Sequence, residues 1–337
     1  MNATMSLEKT KHHPVMLQKV LSIISPQHGG TFIDCTFGGG GYSKSILQYP
    51  NTKVIAIDRD KSIQKYADEL KKKFPNRFSF LLNKFSNLEE IIEQGTKPKA
   101  IIFDLGLSSF QLSDEKRGFS FFSKGNLSME MGINNYSAHD VINSIDKKNL
   151  TKIIKTFGDE KDAKKIANKI VNYRKTKYIK TSDELVSIIN EVKKNYKGHK
   201  KNTSTKTFQA IRIFVNQELT ELIKGLISAT KILSNGGKLI VVSFHSLEDQ
   251  IVKVFFNLYS NLKKNPSRYV PLEENKSNLF EVMNKKPISP DNDEIKNNIR
   301  SRSAKLRYAV RSKNNFNYPD DFKKKFESYF QIEEIRI

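Results

Sequence analysis

Cysteine is almost absent from this chain. Cys35 is the only one in 337 residues, which excludes an intrachain disulfide and any zinc site built on paired cysteines. The histidines, His12, His13, His28, His139, His199 and His245, fall at no metal-ligand spacing, so no metal is expected. No apolar run is long enough to span a bilayer, and Met1 to His13 lacks the apolar core of a signal peptide. The expectation is a cytoplasmic protein with no membrane partner. Acidic residues are scarce beside basic ones, 36 against 58, for a net charge of +22. That excess favours a polyanionic partner through counterion release. A lysine-rich chain that is also rich in Asn and Ile is equally what AT-rich coding produces. Two catalytic signatures are missing as well. No lysine precedes Ser43 in the glycine run, which excludes a P-loop, and no Gly-x-Ser-x-Gly elbow exists. Ser246 and Asp249 read as a capping box that opens a helix over Ile251 to Phe256, which makes His245 and Ser246 structural.

What the chain does contain begins at Thr31. The stretch Thr31-Phe-Ile-Asp-Cys-Thr-Phe-Gly-Gly-Gly-Gly-Tyr-Ser43 is an apolar strand, then four glycines, then a segment with helical period at Ile46 and Leu47. A second apolar strand follows, Lys53 to Asp58, and it ends in an acid. Glycine is needed where a strand turns into a helix and the backbone must touch a ligand, because a Cβ there would collide with it. An acid about twenty residues on stands where a ribose diol would be. These features predict an α/β sheet that binds an adenosine-containing cofactor. A third acid-tipped strand, Lys99 to Asp104, separates the candidates. In an open α/β sheet the carboxyl ends of neighbouring strands line one crevice, so Gly38 to Gly41, Asp58 and Asp104 should converge there. Three convergent tips favour an S-adenosylmethionine-dependent methyltransferase over a nicotinamide oxidoreductase. Singly, Asp34, Asp58 and Asp104 could each be a strand-end or capping carboxylate.

From Lys147 to Lys206 basic residues are dense and acids sparse, while Ala163, Ile166, Ala167, Ile170 and Val171 keep helical spacing. We read residues 112–204 as a basic helical domain inserted into a methyltransferase domain made of 1–111 and 205–337. Such a module beside a cofactor crevice suggests a nucleic-acid substrate, although a solvated basic face is the ordinary state of such a helix. Next, Thr207 to Leu219 reads as one helix with Phe208, Ile211, Val215, Leu219 and Leu222 on one side. Gln209, Arg212 and Asn216 form a polar stripe on another, suited to RNA contact or to hydrogen bonding at the core edge.

At this point the motifs carry a resemblance. Phe37-Gly-Gly-Gly-Gly-Tyr-Ser43, Asp104-Leu-Gly-Leu-Ser-Ser-Phe-Gln-Leu112, Arg117-Gly-Phe-Ser-Phe121, Thr207-Phe-Gln-Ala-Ile-Arg212, Ser243-Phe-His-Ser-Leu-Glu-Asp249 and Ser303-Ala-Lys-Leu-Arg307 occur in this order. Together they resemble the ribosomal RNA small subunit methyltransferase H family, from about His12 to about Arg311. The resemblance implies a Rossmann-like S-adenosylmethionine-dependent methyltransferase sheet with an inserted helical domain. It implies methyl transfer to N4 of a cytidine in the decoding region of 16S rRNA, with the small ribosomal subunit as partner; a homodimer is left open. It places the cofactor on Gly40, Gly41, Tyr42, Asp58, Phe85, Asp104 and Gln111, with the Phe85 ring against the adenine. RNA contacts are expected at Arg117, Lys124, Gln209, Arg212, Asn216, Lys305 and Arg307.

Cytosine N4 is a poor nucleophile while the sulfonium methyl is already activated, so positioning and acceptance of a proton matter most. Asp104 is the candidate for that role or for stabilising the cofactor's charge. Several positions depart from the family pattern. Tyr42 stands where histidine is usual and Phe110 where proline is usual. Gly125-Asn-Leu-Ser-Met-Glu-Met-Gly132 replaces a segment that reads Gly-Pro-Leu-Asp-Met-Arg-Met-Asp, with Leu127, Met129 and Met131 kept as anchors. Glu130 is expected to face solvent or to pair with a neighbouring lysine or arginine. The competing reading is a noncatalytic ribosome-assembly or RNA-binding factor that retains the fold.

Overall fold

A computed structural model describes residues 14–120, 123, 125–193, 203–260, 278–316 and 320–337. Its centre is one sheet. Strands β1 (Gly30–Asp34), β2 (Thr52–Asp58), β3 (Phe78–Leu82), β4 (Pro98–Asp104), β5 (Lys238–Ser243), β6 (Phe280–Val282) and β7 (Lys305–Arg311) lie in the order β3-β2-β1-β4-β5-β7-β6. The first five are parallel, and β7 runs antiparallel between β5 and β6. Strand order reverses direction between β1 and β4, so the crevice for a ligand opens above their carboxyl ends.

The central strands read as continuous apolar runs because both their faces are covered. Ile33, Ile57, Ile101, Phe103, Leu239 and Val241 point into one core, and Phe32, Ala56, Ala100, Ile102, Ile240 and Val242 into another. Alternate residues of each strand therefore serve opposite layers, as a period of two requires. Helices α1 (Leu17–Ile24), α2 (Gly41–Ile46) and α3 (Gln64–Lys73) cover the second core. A short α4 (Leu88–Ile91) lies on the first face, and α5 (Ser109–Ser113) opens with a capping box between Ser108 and Gln111.

Between α5 and β5 the chain is helical: α6 (Ala138–Ser144), α7 (Lys147–Gly158), α8 (Ala163–Arg174), α9 (Ser182–Lys193), α10 (Thr205–Asn216) and α11 (Glu218–Ile232). Ala163, Ile166, Ala167 and Ile170 are buried and Val171 is partly so, as their spacing predicts. This helical core is continuous with the one under the sheet. The chain continues through α12 (Ser246–Leu258), α13 (Asn292–Asn297), α14 (Asp320–Lys325) and α15 (Glu327–Glu333). No helix among the described residues is long and apolar enough to cross a membrane.

Two local expectations are corrected. The helix expected from Thr207 through Leu219 breaks at Gln217, whose φ of 53° is left-handed. The Gln217 N–H caps α10 on the Ile213 and Phe214 carbonyls, and α11 restarts at once with Glu218 and Glu221 in its first turn. Acids suit that position because the free N–H groups there carry partial positive charge. The capping box before α12 is also one residue earlier than expected. His245 is the cap: its Nδ1 accepts the Glu248 N–H at 3.4 Å, and Glu248 Oε2 accepts the His245 N–H at 3.3 Å. An imidazole nitrogen thus does what a serine oxygen was expected to do.

Candidate active site

A cavity of about 380 Å³ opens at the carboxyl ends of β1, β2 and β4. Gly41, Tyr42, Asp58, Phe85, Asp104 and Gln111 all line it. Gly40 lies just behind the wall at φ 73°, where an added Cβ would meet the Phe37 ring at 2.8 Å. The glycine turn is needed on its outer side as well. A Cβ on Gly39 would come within 2.9 Å of Phe110, and one on Gly41 within 2.1 Å of Pro14.

Buried Asp34 fixes this turn from below by accepting the Ser43 hydroxyl at 2.7 Å. Tyr42 is buried in the turn's helix and its hydroxyl donates to the Val15 carbonyl, which ties the N-terminal segment to the cavity wall. Asp58 accepts the Gly38 N–H at 2.8 Å and the Asp60 N–H at 2.9 Å. Burial pushes its carboxyl up to about 6 against those two bonds. Phe85 stands edge-on to Phe103, with ring centroids 5.1 Å apart, and still presents itself to the cavity.

Asp104 differs from the other tips. Its backbone N–H is held by the Thr36 hydroxyl at 2.8 Å, while its buried Oδ1 has no hydrogen-bond partner. Burial holds its carboxyl well above the usual range, and the charges of Asp34, Glu248 and Glu294 add to the rise. An unpartnered carboxylate oxygen at the cavity wall is a vacant acceptor, and it would favour a cation placed beside it. A glycine cradle a Cβ would fill, an acid at the second strand tip and this orphaned oxygen fit a ligand with a ribose and a positive charge.

The tip of β2 also controls the loop after α5. Arg59 donates to the Gly132 carbonyl at 2.5 Å, the Asn216 carbonyl at 2.7 Å and the Ile133 carbonyl at 3.1 Å. Asp60 accepts from Gln111 Nε2 at 2.9 Å and from Arg117 at 2.6 Å. A second Arg117 nitrogen donates to the Glu130 carbonyl at 2.5 Å. Gln111 therefore spans α5 and the β2 tip. Leu127, Met129 and Met131 are buried. Of the two alternatives for Glu130, solvent or a neighbouring cation, no ion pair is seen among the described residues, and the side chain is partly exposed. Its carboxylate accepts the Ser128 hydroxyl at 2.6 Å.

The residues expected at RNA are not gathered at the cavity. Arg212 turns inward to a two-bond pair with Glu218, at 2.8 and 2.9 Å. Asn216 is fully buried, accepting the Met131 N–H at 2.8 Å and donating to the Met129 carbonyl at 2.7 Å. Gln209 donates to the Phe157 carbonyl at 3.1 Å. Of the two readings of that stripe, hydrogen bonding at the core edge is the one observed. The break at Gln217 explains the inward turn, because it brings Glu218 back toward Arg212. Arg117 is committed to Asp60 and the loop. Lys305 and Arg307 pair with Asp249, at 3.1 and 2.7 Å, and do not line the cavity. Lys124 lies outside the described residues, as do residues 194–202 of the basic region.

Other cavity residues carried less signal. Asn83 and Lys84 follow β3 and Phe244 follows β5, so the strand-tip rule could have found them; Glu218, Glu221 and the segment from Asn297 to Arg300 it could not. Among the described residues, Glu218, His245 and Glu248 form a cluster of metal-ligating types. Both Glu218 oxygens are taken by Arg212, and Glu248 Oε2 accepts the Phe244 N–H at 2.8 Å. Arg212 and the backbone thus occupy most of the cluster's oxygens, while the buried His245 Nε2 stands 3.1 Å from Glu248 Oε1 without a hydrogen-bond partner.

The sheet order, the glycine cradle and the acid-tipped cavity define the class, a Rossmann-like S-adenosylmethionine-dependent methyltransferase. The model of the MraW methylase family matches residues 9–312, and the chain belongs to that family. It is 46% identical over 299 residues to the ribosomal RNA small subunit methyltransferase H of Ehrlichia canis (strain Jake), covering 88% of this chain and 98% of that protein. The protein of the same name from Ehrlichia ruminantium (strain Welgevonden) is 45% identical over 303 residues, with coverages of 88% and 98%. That from Wolbachia sp. subsp. Drosophila simulans (strain wRi) is 44% identical over 300 residues, with coverages of 88% and 97%.

Proposed function

We propose that this protein methylates N4 of a cytidine in the decoding region of 16S rRNA, acting in the cytoplasm on the small ribosomal subunit. Its relatives bear the name of a small-subunit rRNA methyltransferase along nearly their whole length. The observation that carries the chemistry is the vacant Asp104 Oδ1 at the cavity wall. S-adenosylmethionine supplies a methyl group already activated on a sulfonium.

The chain's part is to bind, orient and accept. Asp58 would hold the ribose diol, Phe85 would pack on the adenine, and the turn from Gly38 to Tyr42 would take the backbone-close part of the cofactor. Asp104 would accept a hydrogen bond from the N4 amino group, turning its lone pair toward the methyl and receiving or relaying the proton afterwards. Its pKa, raised by burial, makes it a readier proton acceptor than an ordinary carboxylate. RNA affinity would come from exposed lysines of the helical region 112–204, such as Lys164, Lys165 and Lys175, rather than from the inward-facing Arg212 and Asn216.

The test is transfer of tritiated methyl to small subunits from cells lacking this enzyme, followed by nucleoside analysis. Wild-type protein should yield N4-methylcytidine, and Asp104→Asn should bind the cofactor but transfer at least about a hundredfold more slowly. Binding of S-adenosylmethionine without any transfer by the wild type would instead support the noncatalytic assembly factor.

A further inference from the structure

A cytosine amino group lies on the pairing edge of its base and cannot reach a cavity while the base is stacked. Extruding a base leaves a gap in the stack, and an apolar side chain inserted between base steps is one means by which proteins unstack them. We propose that Ile299 is that wedge, a reading that rests on the rRNA cytidine as substrate.

Ile299 is 67% exposed, more than any other large hydrophobic among the described residues. Of the exposed ones, which include Tyr178 and Met283, it alone lines the cavity. Its support is rigid. It begins a 3-10 helix, Ile299–Ser303, whose Ser301 is fully buried and bonds the Asn298 carbonyl through both N–H, at 2.9 Å, and Oγ, at 2.7 Å. Ala304 is buried next, its N–H on the Ser301 carbonyl at 2.7 Å, and β7 starts immediately after. A fixed platform therefore projects an aliphatic side chain into solvent at the cavity edge.

Charge identifies the partner. Arg300 reaches the Ser109 hydroxyl on α5, another residue of the cavity wall, and Arg302 is exposed on the same helix. An apolar point followed on the same short helix by two exposed arginines suits a base stack bordered by phosphates. A protein partner would be expected to cover the apolar residue without needing the cations.

The experiment is single-turnover methyl transfer to hypomethylated small subunits, with enzyme and cofactor saturating. Ile299→Ala should slow transfer about tenfold or more, the effect of losing one or two stacking contacts in the extruded state. Its S-adenosylmethionine affinity by calorimetry and its affinity for the subunit should stay within about twofold. Ile299→Met should restore most of the rate and Ile299→Ser should not, because the wedge acts through apolar bulk. A wild-type rate for Ile299→Ala overturns the wedge. So does a parallel loss of cofactor affinity, which would make Ile299 a wall of the cofactor site, or a change in oligomeric state, which would make it a contact between copies. If the wild type itself leaves these subunits unmodified, the substrate reading falls and takes the wedge with it; a competent wild type with an equally fast Ile299→Ala removes the wedge alone.

Discussion

Truncating Arg117 to alanine removes two hydrogen bonds at once, to the Asp60 carboxylate at 2.6 Å and to the Glu130 carbonyl at 2.5 Å. The side chains of the ion pair are only 18% and 5% exposed, so solvent replaces little of what is lost. Breaking a buried pair from one side costs about 3–5 kcal/mol. Asp60 keeps donors from Gln111 and the Ser62 N–H, which places the expected loss near the lower end, about 3 kcal/mol. A pH dependence should accompany it. Burial pushes the Asp60 carboxyl up, but hydrogen bonds from Gln111, Ser62 and Arg117 outweigh that and hold it below the usual value of 3.8. A depressed carboxyl contributes stability that is present above its unfolded pKa and is lost as pH falls through its folded one. The deficit of the alanine variant should therefore be full at neutral pH and shrink only as pH falls below the ordinary 3.8 toward the depressed folded value. Urea denaturation at neutral pH and at about pH 3 measures both quantities, with Asp60→Asn and the double variant completing a cycle. The reasoning is refuted if Arg117→Ala costs under about 0.5 kcal/mol, or costs the same with Asn at position 60.

Three further outcomes are expected. Asp58→Ala should weaken S-adenosylmethionine binding by about 1–3 kcal/mol, and wild-type affinity should fall as pH drops below about 6, where burial makes Asp58 take up its proton; calorimetry across pH 5 to 8 checks both, and a flat profile counts against Asp58 at the ribose. Reversing exposed Lys164, Lys165 and Lys175 to glutamate should lower rRNA affinity and reduce its salt dependence by about one unit per lost phosphate contact, with cofactor affinity unchanged; an unaltered slope would mean that the charge is coding bias. Burial raises Glu333 to about 8, so its contribution to stability is full below its ordinary 4.5 and is lost as pH rises toward 8. Glu333→Gln, which can still accept the Thr220 hydroxyl, should melt above the wild type at pH 8.5 and by a smaller margin at pH 6.

The cavity was legible in the sequence because its main parts are strand tips, and a buried parallel strand announces itself as an apolar run. Asp58 and Asp104 could be placed from chain order alone. The polar stripe of α10 was misleading for a physical reason. Gln209, Arg212 and Asn216 keep the spacing of one exposed face, but a single left-handed residue at Gln217 folds Glu218 back and supplies an internal partner for Arg212. Left-handed geometry at a residue other than glycine leaves little trace in composition. The role of Arg117 was hidden similarly, since its partner Asp60 is fifty-seven residues away in sequence. The segment from Asn297 to Arg300 reaches the cavity from beyond β5, and nothing local marks it.

The polar grip on the loop from Met129 to Ile133, beside the buried Met129 and Met131 side chains, falls almost wholly on main-chain atoms. Arg59 holds the carbonyls of Gly132 and Ile133, Arg117 that of Glu130, and Asn216 the Met129 carbonyl and the Met131 N–H. A peptide group offers the same atoms whatever side chain it carries. Selection can therefore exchange the outward residues of this loop, Glu130 among them, without releasing the loop from its place. The three gripping residues have no such latitude, because each acts through its own side chain. Drift should accordingly be concentrated in what is held and scarce in what does the holding.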